Sequence, residues 1–179
     1  MRSRLKKPYL KVDYVPVTGQ NRIPMLASGT YDLECGSTTN TSARGKEVAF
    51  SINVFYAGTR LLTKKNSGIR NYSDLTKKTV ASTAGSTNEK LLRKYSADHN
   101  LDIQFVSGKD YADAMQLVLN DRAVALALDD VLLFGLRANS GNPSALEIVG
   151  DTPRWSHMPA WFARTTPSSR SWWTARSHG

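Results

Sequence analysis

Six consecutive apolar residues, Ala123-Val124-Ala125-Leu126-Ala127-Leu128, lie between the polar segments Asn120-Asp121-Arg122 and Asp129-Asp130. A run this short and uniform suits a strand buried on both faces, as in the middle of a parallel sheet. Its surroundings agree. Residues 78–83, 103–106 and 146–149 predict further strands. Between them, residues 86–99 place Leu91, Leu92 and Tyr95 on one helical face, and Asp110 is set to cap a helix carrying Tyr111, Met115 and Val118. Strands and helices alternate, so the expected class is α/β with a mainly parallel sheet, and residues 67–149 hold a compact βαβαβα unit. Upstream, residues 10–17 alternate as a strand, with Pro16 pushing it toward an edge. Residues 20–27 predict a short helix ended by Gly29. Residues 31–35 predict a strand running into a polar loop, with Cys35 as a small core residue. Residues 51–65 are β-rich with Gly58 interrupting them, and Ser73 begins a helical turn.

Charge narrows the function class. The formal charge of +9 is concentrated at the ends: residues 1–11 hold five basic and no acidic residues, whereas residues 12–150 are nearly neutral at +1. A nucleic-acid partner is therefore not expected, since such proteins carry a basic stripe on the folded body. No apolar run reaches the roughly 20 residues of a membrane-spanning helix. No apolar stretch follows Met1-Arg2-Ser3-Arg4, so no secretory signal peptide is expected in the sequence as it stands. A single cysteine, Cys35, leaves neither an internal disulfide framework nor a cysteine-rich metal site.

Residues 151–179 differ in kind. They contain no Leu, Ile, Val, Lys or Glu, but all four tryptophans, three prolines, five serines and four threonines. No strand or helix period is visible there, so this piece is expected to be irregular and to add no ordinary core.

Enzymatic constellations are largely missing. His157 and His178 lie in the odd tail and His99 at the polar end of a helix, which leaves no central histidine for a nucleophilic triad. Phosphate-binding glycine motifs and the nucleophile elbow are absent. No catalytic residue, cofactor or metal is expected. Binding features are better. In open α/β sheets, ligands lie beyond the carboxyl ends of the strands. Three loops qualify: Gly36-Ser37-Thr38-Thr39-Asn40 with Arg44 behind it, Ala84-Gly85-Ser86-Thr87-Asn88 opening a helix, and Asp129-Asp130. Each has a plainer reading: Ser86 as a helix cap, Arg44 as a surface residue, the Asp pair as a cap for the next helix. Together they offer a guanidinium, a helix N-terminus and a carboxylate. That set complements a zwitterionic amino acid, with the α-carboxylate on Arg44 and the amides at Ser86 and Thr87, and the α-ammonium on Asp129.

The stretches VPVTGQNRIPMLASGTYDLECGSTTNT, GTRLLTKK, SGKDYADA and RAVALALDDVLLFG resemble the glutamate/aspartate periplasmic binding proteins of bacterial ABC importers. The likeness covers about residues 5–153. It implies a periplasmic-binding-protein-like fold of type II, with two lobes closing on one acidic amino acid, glutamate or aspartate. It implies Ser37, Thr38, Arg44, Thr59, Thr87 and Asp129 as ligand contacts. It also implies delivery to ABC permease membrane subunits from the periplasm. On this footing residues 1–62 form part of lobe 1, 63–150 lobe 2, and 151–179 an aberrant tail.

Two departures bear on ligand choice. The family carries a His where Tyr111 stands, and Tyr111 brings a hydrogen bond but no cation. The family also begins with a first strand that carries a ligand-binding Arg, and this chain is expected to start inside the helix that follows it. The tail suggests its own cause. Reading each codon from its third base turns Met158-Pro159 into Ala, Trp161-Phe162 and Trp172-Trp173 into Val, and Trp173-Thr174 into Asp. That frame permits family-like sequence and a second cysteine, the partner the resemblance implies for Cys35. The expectation is a one-base frameshift near Arg154, leaving a partial form of the binding protein. Two alternatives of other classes are an amino-acid-derived dehydratase on the same two-lobed scaffold and the effector domain of a regulator. The first lacks a visible acid/base residue and the second a helix-turn-helix.

Overall fold

A computed structural model describes residues 6–151, and the backbone of residues 155–159 and 162–164. In chain order the elements are α1 (Arg22–Ala27), β1 (Leu33–Glu34), β2 (Val48–Phe50), β3 (Asn53–Lys64), β4 (Thr79–Thr83) and α2 (Thr87–Asp98). They continue with β5 (Gln104–Gly108), α3 (Tyr111–Leu119), β6 (Ala125–Asp129), α4 (Asp130–Ala138), β7 (Leu146–Val149), β8 (Trp155–Pro159) and β9 (Phe162–Arg164).

The apolar run becomes β6, and all five of its residues are buried. It lies inside a sheet of order β5-β4-β6-β3-β7. Alternation along the strands sends side chains to two separate cores. Leu62, Ala81, Leu126 and Leu128 pack with Met115, Val118 and Leu133 from α3 and α4. Leu61, Val80, Ala125 and Ala127 pack with Ile69, Tyr72, Leu75 and Leu92 on the other face. Each fully buried leucine of this set contributes about 1.5–3 kcal/mol of transfer free energy, which is why a strand with no polar face is stable here. The helix starts follow the caps. The Ser86 hydroxyl accepts from the Glu89 amide and the Asp110 carboxylate accepts from the Asp113 amide.

The expectation of a mainly parallel sheet needs one correction. β4 runs parallel to β5 and β6, but the long β3 is antiparallel to both β6 and β7. β3 also changes partners along its length. Asn53 to Gly58 pair with β8, and Thr59 to Lys64 with β6 and β7. A strand not reached through a crossover helix need not run parallel to its neighbours. Apart from β3, β1, β9 and β2 form a small three-stranded sheet in that order, and Ile23 and Leu26 of α1 cluster with Val48 of β2.

Other differences are local. Residues 10–17 form no strand, and Tyr14 is 92% exposed. Alternation alone does not make a strand, because the ladder needs a neighbouring backbone. Cys35 is exposed rather than core, since β1 stops at Glu34 and the chain turns immediately after it. Within the span expected to be irregular, β8 and β9 pair antiparallel with β3, β1 and β2. Backbone pairing of this kind needs no hydrophobic period. The rest of residues 152–179, including Trp172, Trp173 and His178, lies outside the described residues.

Candidate functional site

The polar loop that follows β1 lies against the starts of α2 and α3. Its contacts come from alternate residues. The Ser37 hydroxyl is hydrogen-bonded to the Tyr111 hydroxyl at 2.5 Å, and the Thr39 hydroxyl to the Thr87 hydroxyl at 3.0 Å. Arg44 spans both sides. Its Nη1 donates to the Thr39 carbonyl at 2.9 Å and its Nη2 to the Gly85 carbonyl at 3.4 Å. Burial, and next the positive charge of Arg22, hold Arg44 below the usual guanidinium range. A second approach seals one side. A side chain on Gly85, where φ is +74°, would put its Cβ 2.9 Å from the Gly19 carbonyl oxygen. One on Gly19 would sit 2.5 Å from the Ala84 carbonyl oxygen. Only glycines let these two loops touch through backbone.

The remaining expected residues line the same region. Asp129 ends β6, is 3% exposed and is the cross-strand partner of Thr59. Its neighbour Asp130 turns its carboxylate onto the Val131 amide at 2.7 Å and serves the first turn of α4. The Thr59 hydroxyl donates to Asn88 Oδ1 at 2.6 Å, which ties β3 to the first turn of α2. Thr38 is fully buried and its hydroxyl donates to Glu34 Oε1 at 2.9 Å, so that hydroxyl faces its own loop. Ser37, Arg44, Thr87 and Tyr111 are therefore brought into one cluster, with Asp129 and Thr59 side by side on adjacent strands. The arrangement can hold a carboxylate between a guanidinium and a helix N-terminus.

Thr39 and Asn88 fall inside the expected loops without having been singled out as contacts, and Arg22 and Glu34 lie outside them. Arg22 Nη1 lies 4.0 Å from Glu34 Oε1, with the side chains 11% and 9% exposed. Burial raises the Glu34 pKa, against the lowering effects of the Thr38 hydrogen bond and of Arg22 and Arg44. Tyr31 donates to the Arg22 carbonyl at 2.6 Å, and burial, with Glu34 nearby, pushes its phenol up to about 12. A signal for Arg22 did exist: it is the one charge in the helix sequence RIPMLA. Among the described residues, no group of three or more His, Cys, Asp or Glu could hold a metal ion, and no helix is long and apolar enough to cross a membrane.

Comparison with known proteins places this geometry in a family. Over 150 residues the chain is 45% identical to the glutamate/aspartate import solute-binding protein of Escherichia coli (strain K12), covering 84% of this chain and 50% of that protein. Over 154 residues it is 44% identical to the L-glutamate/L-aspartate-binding protein of Pseudomonas aeruginosa, covering 86% and 51%. The chain thus spans about half the length of these relatives, which are named as binding proteins rather than enzymes. Among solved structures, the arginine-bound form of truncated ArgBP from T. maritima superposes with a TM-score of 0.79 at 26% identity, covering 94% of this chain and 76% of that one. Residues 1–164 match one family throughout, and the chain belongs to the bacterial extracellular solute-binding proteins, family 3.

Proposed function

We propose that this chain carries the ligand cleft of the substrate-binding component of an ABC importer, one that captures glutamate or aspartate in the periplasm and hands it to the permease subunits. The observation that carries the reading is the set of three bridges from one loop: Ser37 to Tyr111, Thr39 to Thr87, and Arg44 to Gly85. Relatives with about 45% identity are named for glutamate and aspartate, which supports an acidic amino acid as the ligand. In this reading the α-carboxylate takes the place of the backbone carbonyls now facing Arg44 and receives amides from the start of α2 around Thr87. The buried carboxylate of Asp129 takes the α-ammonium. Thr38 contributes its backbone, because its hydroxyl is held by Glu34. Thr59 acts by fixing Asn88. The Tyr111 hydroxyl meets the ligand's side chain. No bond is made or broken, and the free energy of binding drives closure of the two sides.

The test is a titration of the purified chain with glutamate, aspartate, glutamine and arginine, followed by amide chemical shifts. Glutamate and aspartate should shift the amides of residues 36–44 and 85–88 at lower concentration than the other two. Tighter binding of arginine or glutamine would reject the acidic ligand class. No shift with any of the four at millimolar concentration would reject the cleft in this chain.

A further inference from the structure

The buried pair Arg22 and Glu34 lies beside the loop, joined to it through Thr38. Glu34 is the last residue of β1, is 8% exposed, and its Oε1 accepts the hydroxyl of the fully buried Thr38 at 2.9 Å. The turn between them wraps this carboxylate closely. A Cβ on Gly36 would lie 2.7 Å from Glu34 Oε1. Arg22 Nη1 approaches the same oxygen at 4.0 Å. Burying two charges costs several kcal/mol each, and an apolar pair of similar volume is often as stable. Stability therefore does not account for the pair. Direction does: a carboxylate accepts a short, oriented bond from a hydroxyl, which an apolar side chain cannot. The residues on either side of Thr38 are the two whose hydroxyls cross to the opposite wall, Ser37 to Tyr111 and Thr39 to Thr87. Arg44 in turn donates to the carbonyl of Thr39.

We infer that Glu34, held in place by Arg22, is the positioning residue of the ligand loop: it fixes Thr38 and thereby sets the register in which Ser37, Thr39 and Arg44 face the opposite wall. The inference deepens the proposed ligand cleft and rests on that reading for its binding arm. Its structural arm needs no ligand.

Two double variants decide it, Arg22→Met with Glu34→Gln and Arg22→Met with Glu34→Met. Neither leaves a guanidinium buried without its partner. Gln keeps an oxygen for the Thr38 hydroxyl, whereas Met has similar length and none. Amide hydrogen exchange without ligand should be at least about tenfold faster at residues 37–40 in the Met variant than in the Gln variant, with β6 equally protected in both. Glutamate affinity should fall about tenfold in the same comparison. Gly36→Ala, which keeps every charge but crowds the carboxylate, should speed exchange at the same amides. Equal loop exchange in the Gln and Met variants would overturn the inference. So would acceleration spread evenly over β4, β6 and the loop, since that reports general destabilisation. A wild-type chain that binds neither glutamate nor aspartate would count against the proposed function, and the exchange comparison would still decide the role of Glu34.

Discussion

Replacing Arg44 with Lys gives the sharpest test of the cleft. The guanidinium of Arg44 reaches two carbonyls at once, Thr39 at 2.9 Å and Gly85 at 3.4 Å, on opposite sides of the site. A fork of fixed geometry does this, and a carboxylate ligand presents two oxygens to the same fork. A Lys ammonium is a single point and can serve one oxygen well. The variant therefore loses one charge-assisted hydrogen bond, worth about 1.5–3 kcal/mol. At about 1.4 kcal/mol per factor of ten, affinity for glutamate should drop at least about tenfold, and by roughly a hundredfold at the upper end. Asp129→Ala should match or exceed this loss, because it leaves the ligand's ammonium buried without a counter-charge. Asp130→Ala is the internal control. Its carboxylate is occupied with the Val131 amide, so it should cost helix stability and little affinity. Calorimetric titration of the three variants, with folding checked by circular dichroism, settles the matter. Unchanged affinity in both Arg44→Lys and Asp129→Ala, with folding intact, would refute the site. A larger loss in Asp130→Ala than in Asp129→Ala would show that the wrong carboxylate was assigned to the ammonium.

Tyr111→His should strengthen glutamate binding about tenfold below pH of about 6.5, where imidazole gains its charge, and the gain should fade above it; a pH-independent affinity would argue against side-chain contact at this position. Tyr31 is raised from 10.0 to about 12 in the folded chain, so its phenol contributes stability that is fully present below the unfolded value and is lost as pH rises from there through the folded one. Urea melts between these limits should show a decline that Tyr31→Phe reduces, and an identical decline in that variant would contradict the assignment. Nucleotide sequencing through codons 150–180 should find family-like sequence in another frame after Arg154, and stop codons throughout both alternative frames would sink the frameshift.

What could be read from the sequence divides along a physical line. Features set by neighbours within a few residues were legible. The caps at Ser86 and Asp110 and the apolar run that forms most of β6 correspond to observed elements, and β7 appears over Leu146–Val149. Features set by distant backbone were not. Residues 10–17 carry strand alternation, yet no described strand pairs with them, whereas β8 and β9 form where no period is visible. The direction of β3 was hidden for the same reason, because its two halves answer to different partners. The site follows the same division. Each loop could be nominated from its place after a strand, but the bridges join residues 41 to 74 positions apart. Glu34 shows the limit most clearly. A single acidic residue at the end of a short strand looks like an ordinary surface charge. Only Thr38 folding back over it, the space left by Gly36, and the approach of Arg22 from α1 turn it into a buried acceptor. Charge burial is a property of the assembled loop rather than of any residue in it, so a cleft of this kind can be nominated from local sequence while the groups that hold its walls in register cannot.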